Sequence, residues 1–221
     1  MRIRIAACLL ALYLFIAAAP TSADTIDQSF ITSTSSTFTL SCPGPCSSSL
    51  VQSYTAGLTG NLTGVNINIV STSPQIPIEI VILSLNGSVQ GSNGFNSLGV
   101  TTVMPNSSGQ IPLSMLITFP TAIAQVAGQV YAIRVRNPGN DSSLSWSGDP
   151  SPSGAGTGIY TVGLGLTFDG ISFSVIGNTL FDFNFQTHVQ PPSIVPEPGT
   201  LALLGSGLAA LGFRLRHRFV Q

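Results

Sequence analysis

Leu180–Val189, LFDFNFQTHV, alternates with a period of two: Phe181, Phe183 and Phe185 on one side, Asp182, Asn184, Gln186 and His188 on the other. Successive side chains of a strand point to opposite faces, so the pattern predicts a strand with one packed and one wet face. The same period recurs upstream. Val130–Arg136 puts Tyr131, Ile133 and Val135 inward and leaves Arg134 and Arg136 outward, and Val65–Ile69 alternates valine and isoleucine with Asn66 and Asn68. Ile76–Leu85 is more continuously apolar, which suits a central strand, and Asn86–Gly87 supplies a turn after it. Phe30–Leu40, Leu50–Thr55, Leu98–Val103 and Ile111–Phe119 read as further strands, the last two separated by the turn-forming Pro105–Gly109. No window of useful length carries a helical period. Many half-apolar strands are buried most simply in two packed antiparallel sheets, so the predicted fold is an all-β sandwich.

Composition agrees. The 221 residues carry seven basic side chains, all arginine, and between the apolar runs lie mostly Ser, Thr, Gly and Asn. Between Asp24 and Pro192, Arg134 and Arg136 stand against seven acids, leaving the body near −5. That sign repels phosphate backbones and excludes nucleic-acid binding as a reading.

Both ends are different in kind. Met1–Ala23 has the order of a secretory signal peptide: basic Arg2 and Arg4, the apolar core Ile5–Ile16, and the small-residue cleavage site Thr21-Ser22-Ala23. Pro20 disfavours cleavage after Ala19, and Cys8 lies too early in the apolar core for a lipoprotein site. In an exported chain Cys42-Pro-Gly-Pro-Cys46 reads first as a local disulfide between Cys42 and Cys46, with a redox-active pair as the alternative. Closing so short a loop removes only roughly 2 kcal/mol of unfolded-state entropy.

At the other end, Pro196-Glu197-Pro198 holds an extended segment, because proline fixes φ and restricts the residue before it. An uncharged run, Leu201–Phe213, follows, and then Arg214, Arg216, His217 and Arg218. As a helix the run spans roughly 20 Å against a hydrocarbon core of about 30 Å. Counting 199–215, with the arginines snorkelling to the headgroups, makes a thin single transmembrane helix with its C-terminus on the cytoplasmic side. An ordinary buried C-terminal helix fits the hydropathy as well.

This three-part order, covering Val195–Arg218, resembles the PEP-CTERM sorting signal of bacteria that make extracellular polysaccharide. The resemblance implies that exosortase, a membrane transpeptidase, is the processing partner. It makes Pro196, Glu197 and Pro198 a recognition sequence and not a catalytic site. It also implies export through the inner membrane and display at the cell surface or in the extracellular matrix, with a structural or adhesive role beside exopolysaccharide or biofilm. The body has a resemblance of its own. Gln28-Ser29-Phe30, Ile78-Glu79-Ile80, Gly128–Ile133, the Trp146 segment, a Gly-rich loop through Tyr160 and Phe181–Thr187 follow an order similar to choice-of-anchor domains. That implies a jelly-roll-like sandwich. The expected organisation is therefore a signal peptide (1–23), a β-sandwich (24–190), a linker (191–195) and a sorting signal with membrane helix and basic tail (196–221).

Residues for catalysis are sparse. His188 is the body's single histidine, it lies on the polar side of its strand, and no G-x-S-x-G turn precedes it. Glu79 and the aspartates show no spacing that singles out a glycosidase pair. Asn137–Asp141 and Gly148-Asp149 offer oxygens around Trp146, but without the dense spacing of a calcium loop, so no metal or other cofactor is assigned. Trp146, the single tryptophan, reads two ways: a core residue, or an exposed ring stacking on a sugar of the polysaccharide. The expectation is a protein that is not an enzyme. A small secreted glycan- or ester-hydrolysing enzyme is the alternative, and a substrate screen separates the two. The mature chain should begin at Asp24; amino-terminal sequencing of exported protein that returned Met1 would refute the signal-peptide reading.

Overall fold

Alternating apolar residues form strands because each face then meets one environment. In the computed structural model, however, the central strands meet apolar surroundings on both faces. It describes residues 23–32, 36–40, 49–73, 75–85, 95–138, 143–149, 165–168, 173–175, 181–192 and 204–208. Ala23–Pro191 forms one unit, and Met1–Ser22 and Pro192–Gln221 belong to another. The described strands are, in order, β1 (Thr25–Phe30), β2 (Ser36–Leu40), β3 (Ser49–Thr55), β4 (Gly60–Ile67), β5 (Ile69–Ser71), β6 (Ile78–Leu85), β7 (Phe95–Val103) and β8 (Gln110–Ile111). There follow β9 (Ile117–Gln125), β10 (Val130–Arg136), β11 (Leu144–Asp149), β12 (Gly165–Phe168), β13 (Phe173–Val175), β14 (Asp182–Phe183) and β15 (Phe185–Gln190). All of the described ladders are antiparallel.

The strands form three hydrogen-bonded groups. The first has the order β1-β15-β4-β9 and the second β13-β12-β3-β10-β6-β7. The third runs β14-β11-β5-β8, with β2 on the other edge of β11. Leu50 and Tyr54 of β3, Ile78, Ile80 and Ile82 of β6 and Ile133 and Val135 of β10 pack against Leu62, Val65, Ile67, Ile69, Trp146, Phe183, Phe185 and Val189 in one core. The opposite face of the second group is buried too, through Val51, Val81, Leu83, Leu85, Ala132 and Leu166. Burial on both sides is why Ile78–Leu85 reads as a near-continuous apolar run.

Two strands turn corners at one point. β4 becomes β5 at Asn68, and β14 becomes β15 at Asn184, so β4 pairs with β15 while β5 and β14 both pair along one edge of β11. Ser147 lies between them: its N–H donates to Asn68 C=O at 3.1 Å, and its C=O accepts from Asn184 N–H at 2.8 Å. Each chain therefore leaves one sheet for the next without abandoning its backbone bonds. Gly148 is required here, since a Cβ on it would lie 2.1 Å from Asp182 O.

The corner changes the expectation for LFDFNFQTHV. Phe181, Phe183 and Phe185 are buried as predicted, but Asp182 and Asn184 are buried as well, so their side of the chain is not wet. Gln52, itself buried, links β3 to β14: its Oε1 accepts from Phe183 N–H at 2.7 Å, and its Nε2 donates to Asp182 Oδ1 at 3.2 Å. Asn66, also expected to face water, is buried. Ile111–Phe119 is not one strand. Pro112 ends β8, a turn closes with Met115 N–H donating to Pro112 C=O at 2.9 Å, and β9 starts at Ile117. β9 was not foreseen as far as Gln125 because Pro120 interrupts it; as an edge strand whose register jumps from Leu62↔Ile123 to Gly64↔Thr118, it tolerates the missing N–H. The turn at Pro105–Gly109 is as expected: Asn106 Oδ1 accepts from Ser108 and Gln110 N–H, and Gly109 has φ of 76°. The Asn86–Gly87 turn lies outside the described residues.

Trp146 has 0 % of its surface exposed. Its ring stacks on Phe183 with centroids 4.5 Å apart, and its Nε1–H donates to Asn184 C=O at 2.9 Å. It therefore has no face to offer a sugar, and the carbohydrate-contact reading of Trp146 is corrected to a core residue. Trp146→Ala should cost about 3–5 kcal/mol and lower the melting temperature in a thermal scan, since it empties a core site and strands the Asn184 carbonyl.

Candidate functional site: the exit strand and the sorting segment

The body hands the chain to its tail through β15, which lies between β1 and β4. Phe185 and Val189 anchor it in the core. Thr187, buried, accepts from Gln28 N–H at 3.0 Å, and Gln186 Nε2 donates to Ser29 Oγ at 3.2 Å. The strand ends at Gln190, opposite Asn61, and neighbouring Gly60 is needed because a Cβ there would lie 2.5 Å from Gln190 O. Pro191 and Pro192 follow, at the edge of the described residues.

His188 is not a freely solvated strand residue. Its Nε2–H donates to Asn66 Oδ1, and its carbonyl accepts from Thr63 Oγ1 at 3.1 Å; that hydroxyl also lies 3.0 Å from Asp24 Oδ2. Burial pushes the imidazole below its ordinary value, with the Asp24 charge opposing. The ring is thus held by an amide, and none of its described hydrogen bonds is to a serine.

Arg136 faces outward as predicted and forms a two-pronged pair with Glu79, its cross-strand neighbour, at 2.6 and 3.0 Å. That bond raises its already high pKa, whereas half-burial of Arg134 lowers that residue's. The pair is partly exposed, so its contribution is about 0.2–1 kcal/mol. Asn137 is buried and Asp149 belongs to β11, while 139–142 lie outside the described residues. Among the described residues, no three His, Cys, Asp or Glu come together as a metal site.

Cys42, Cys46 and the Pro196-Glu197-Pro198 tripeptide lie outside the described residues, as do residues 1–22. Of the expected membrane segment 199–215, residues 204–208 are described; they are helical and exposed. Among the described residues no helix is long and apolar enough to cross a membrane. The rest of the segment expected to form a single transmembrane helix, 199–203 and 209–215, lies outside the described residues.

Residues 195–218 match the PEP-CTERM protein-sorting motif. The motif marks the chain as an exported, sorted protein and implies processing by exosortase. No curated protein matches the chain. The expected sorting residues Pro196, Glu197 and Pro198 fall within the matched segment, whereas the buried Gln52–Asp182 link and the Asn68–Ser147–Asn184 junction are structural features with no signal in the sequence. No short-range pattern could have shown them, because their partners are 130 and 79 residues apart in the Gln52–Asp182 and Asn68–Ser147 bonds.

The depressed His188 pKa has a defined consequence. The unfolded chain takes up a proton near the ordinary histidine value while the folded chain resists it, so stability falls as pH drops below about 6.5. Thermal midpoints should decrease between pH 7.5 and 5.5, and His188→Gln should flatten that slope; an unchanged slope would remove His188 as its source.

Proposed function

We propose that this protein is an exosortase-processed component of the cell surface or extracellular matrix, with a structural or adhesive role beside exopolysaccharide or biofilm. The observation that carries the reading is the PEP-CTERM match at 195–218. Before processing, 199–215 spans the inner membrane as a helix, and Arg214, Arg216 and Arg218 keep the end on the cytoplasmic side. The extended Pro196-Glu197-Pro198 then stands outside the bilayer as the recognition peptide. The body is a choice-of-anchor-like sandwich and serves as cargo, without catalysis of its own. Its low charge and its Ser-, Thr- and Asn-rich composition suit a neutral hydrated polymer, to which hydroxyl and amide groups bond without displacing counterions.

The test is fractionation with carboxy-terminal mass mapping in a host that carries an exosortase. The surface-exposed protein should lack Gln221 and the arginine cluster. Pro196→Ala with Pro198→Ala, or Glu197→Gln, should trap most of the chain as a full-length membrane form. Replacing the three arginines should weaken retention while leaving the recognition peptide intact. If surface-exposed protein still carries Gln221, the tail is an anchor and not a sorting signal.

A further inference from the structure

The edges of the described sheets are defended unequally. β1 carries Asp27, β9 is broken by Pro120, and β8, β13 and β14 have only two or three residues each. β2, at the edge of β11, has five. β7 ends the second group and is different: its nine residues, FNSLGVTTV, include neither a charge nor a proline. A strand edge presents a row of backbone donors and acceptors, and charge, proline or shortness ordinarily keeps other chains from pairing with it.

β7 is held in place as a strand. Its residues pair with β6 from Leu85↔Phe95 to Ile78↔Val103, with Leu98 the extra residue of a bulge. On its inner face Ile123 of β9 closes the core against Gly99, where a Cβ would lie 2.5 Å from Ile123 Cδ1. On the other face Val100 stands opposite Val81, and Thr102 opposite Glu79. Val81 is buried in the second apolar cluster, whereas Val100 beside it is 48 % exposed. Asn96, Ser97, Leu98 and Thr102 are exposed as well, so this strand is open to solvent along most of its length.

We infer that β7 pairs antiparallel with β7 of a second copy across a two-fold axis, joining two six-stranded groups into one continuous sheet. A two-fold contact sets each surface against itself, which repels wherever the surface is charged. β7 has no charge to repel, and the exposed Val100 gains an apolar neighbour on the side away from Val81. A charged peptide would find no complement there, since Glu79, one strand in from the edge, is already held by Arg136. Because β7 is preformed on β6, association orders little further chain. The pairing uses the body alone and does not rest on the sorting reading.

The experiment uses the exported chain, purified in a non-ionic detergent. Sedimentation should find a dimer that dissociates on dilution. Hydrogen exchange in Phe95–Val103 should quicken several-fold as it does so, while exchange in β10 stays constant. Val100→Lys alters an exposed side chain, so it should leave the thermal midpoint in place and weaken association by about tenfold or more. Thr118→Lys, at an exposed position of edge strand β9, is the control and should leave the dimer intact. A chain that is monomeric at every concentration overturns the pairing. So does a dimer that survives Val100→Lys, because its contact then lies in the tail or on another face. If that variant misfolds, exchange in the unaltered chain decides the matter: a dimer whose β7 amides exchange equally at all concentrations overturns the inference.

Discussion

Ser147 holds the backbone bonds on which the architecture turns. Its N–H and C=O reach Asn68 and Asn184, the residues at which two neighbouring strands of one sheet part and continue on either side of Ser147 along β11. A corner of this kind ordinarily leaves peptide groups without partners in the interior, where each costs about 1–3 kcal/mol. Here one residue satisfies both strands. Trp146 beside it fills the inner side of the corner with an aromatic stack and gives its indole N–H to the Asn184 carbonyl. The glycine that follows allows Asp182 to approach more closely than any side chain would permit.

Around this corner the interior is cross-linked by neutral groups more than by ion pairs. Gln52 bridges β3 to Phe183 and Asp182, Asn66 holds His188, and Gln125 joins Asp27, Leu58 and the Tyr54 hydroxyl. An amide carries both donors and an acceptor and loses less hydration on burial than a charged group. A chain with no lysine and few acids therefore links its strands largely through amide side chains, two of which hold the carboxylates of Asp182 and Asp27. The Arg136–Glu79 ion pair is partly exposed.

Cargo and address are written in separate parts of the chain. The matched sorting motif, 195–218, lies wholly after the last strand of the sandwich, which ends at Gln190. The body contributes where the chain leaves it: β15 is locked between two neighbours up to Gln190, so a pull on the tail acts on backbone hydrogen bonds along the strand and on Phe185 and Val189 in the core.

Sequence alone determined the features that depend on near neighbours. The inward set Tyr131, Ile133 and Val135, the turn at Pro105–Gly109 and the PEP-CTERM segment could all be read because periodicity, proline and glycine act within a few residues. Tertiary structure decided the rest. Whether Asp182 and Asn184 met water depended on Gln52 and Ser147, far away in the chain. Whether Trp146 was core or surface depended on the corner it fills. Pro120 within β9 was acceptable because that strand lies at an edge, a position set by sheet order. A side chain's alternation says that its strand has two faces; what covers each face is decided by strands that pair across long separations, and no local pattern encodes that.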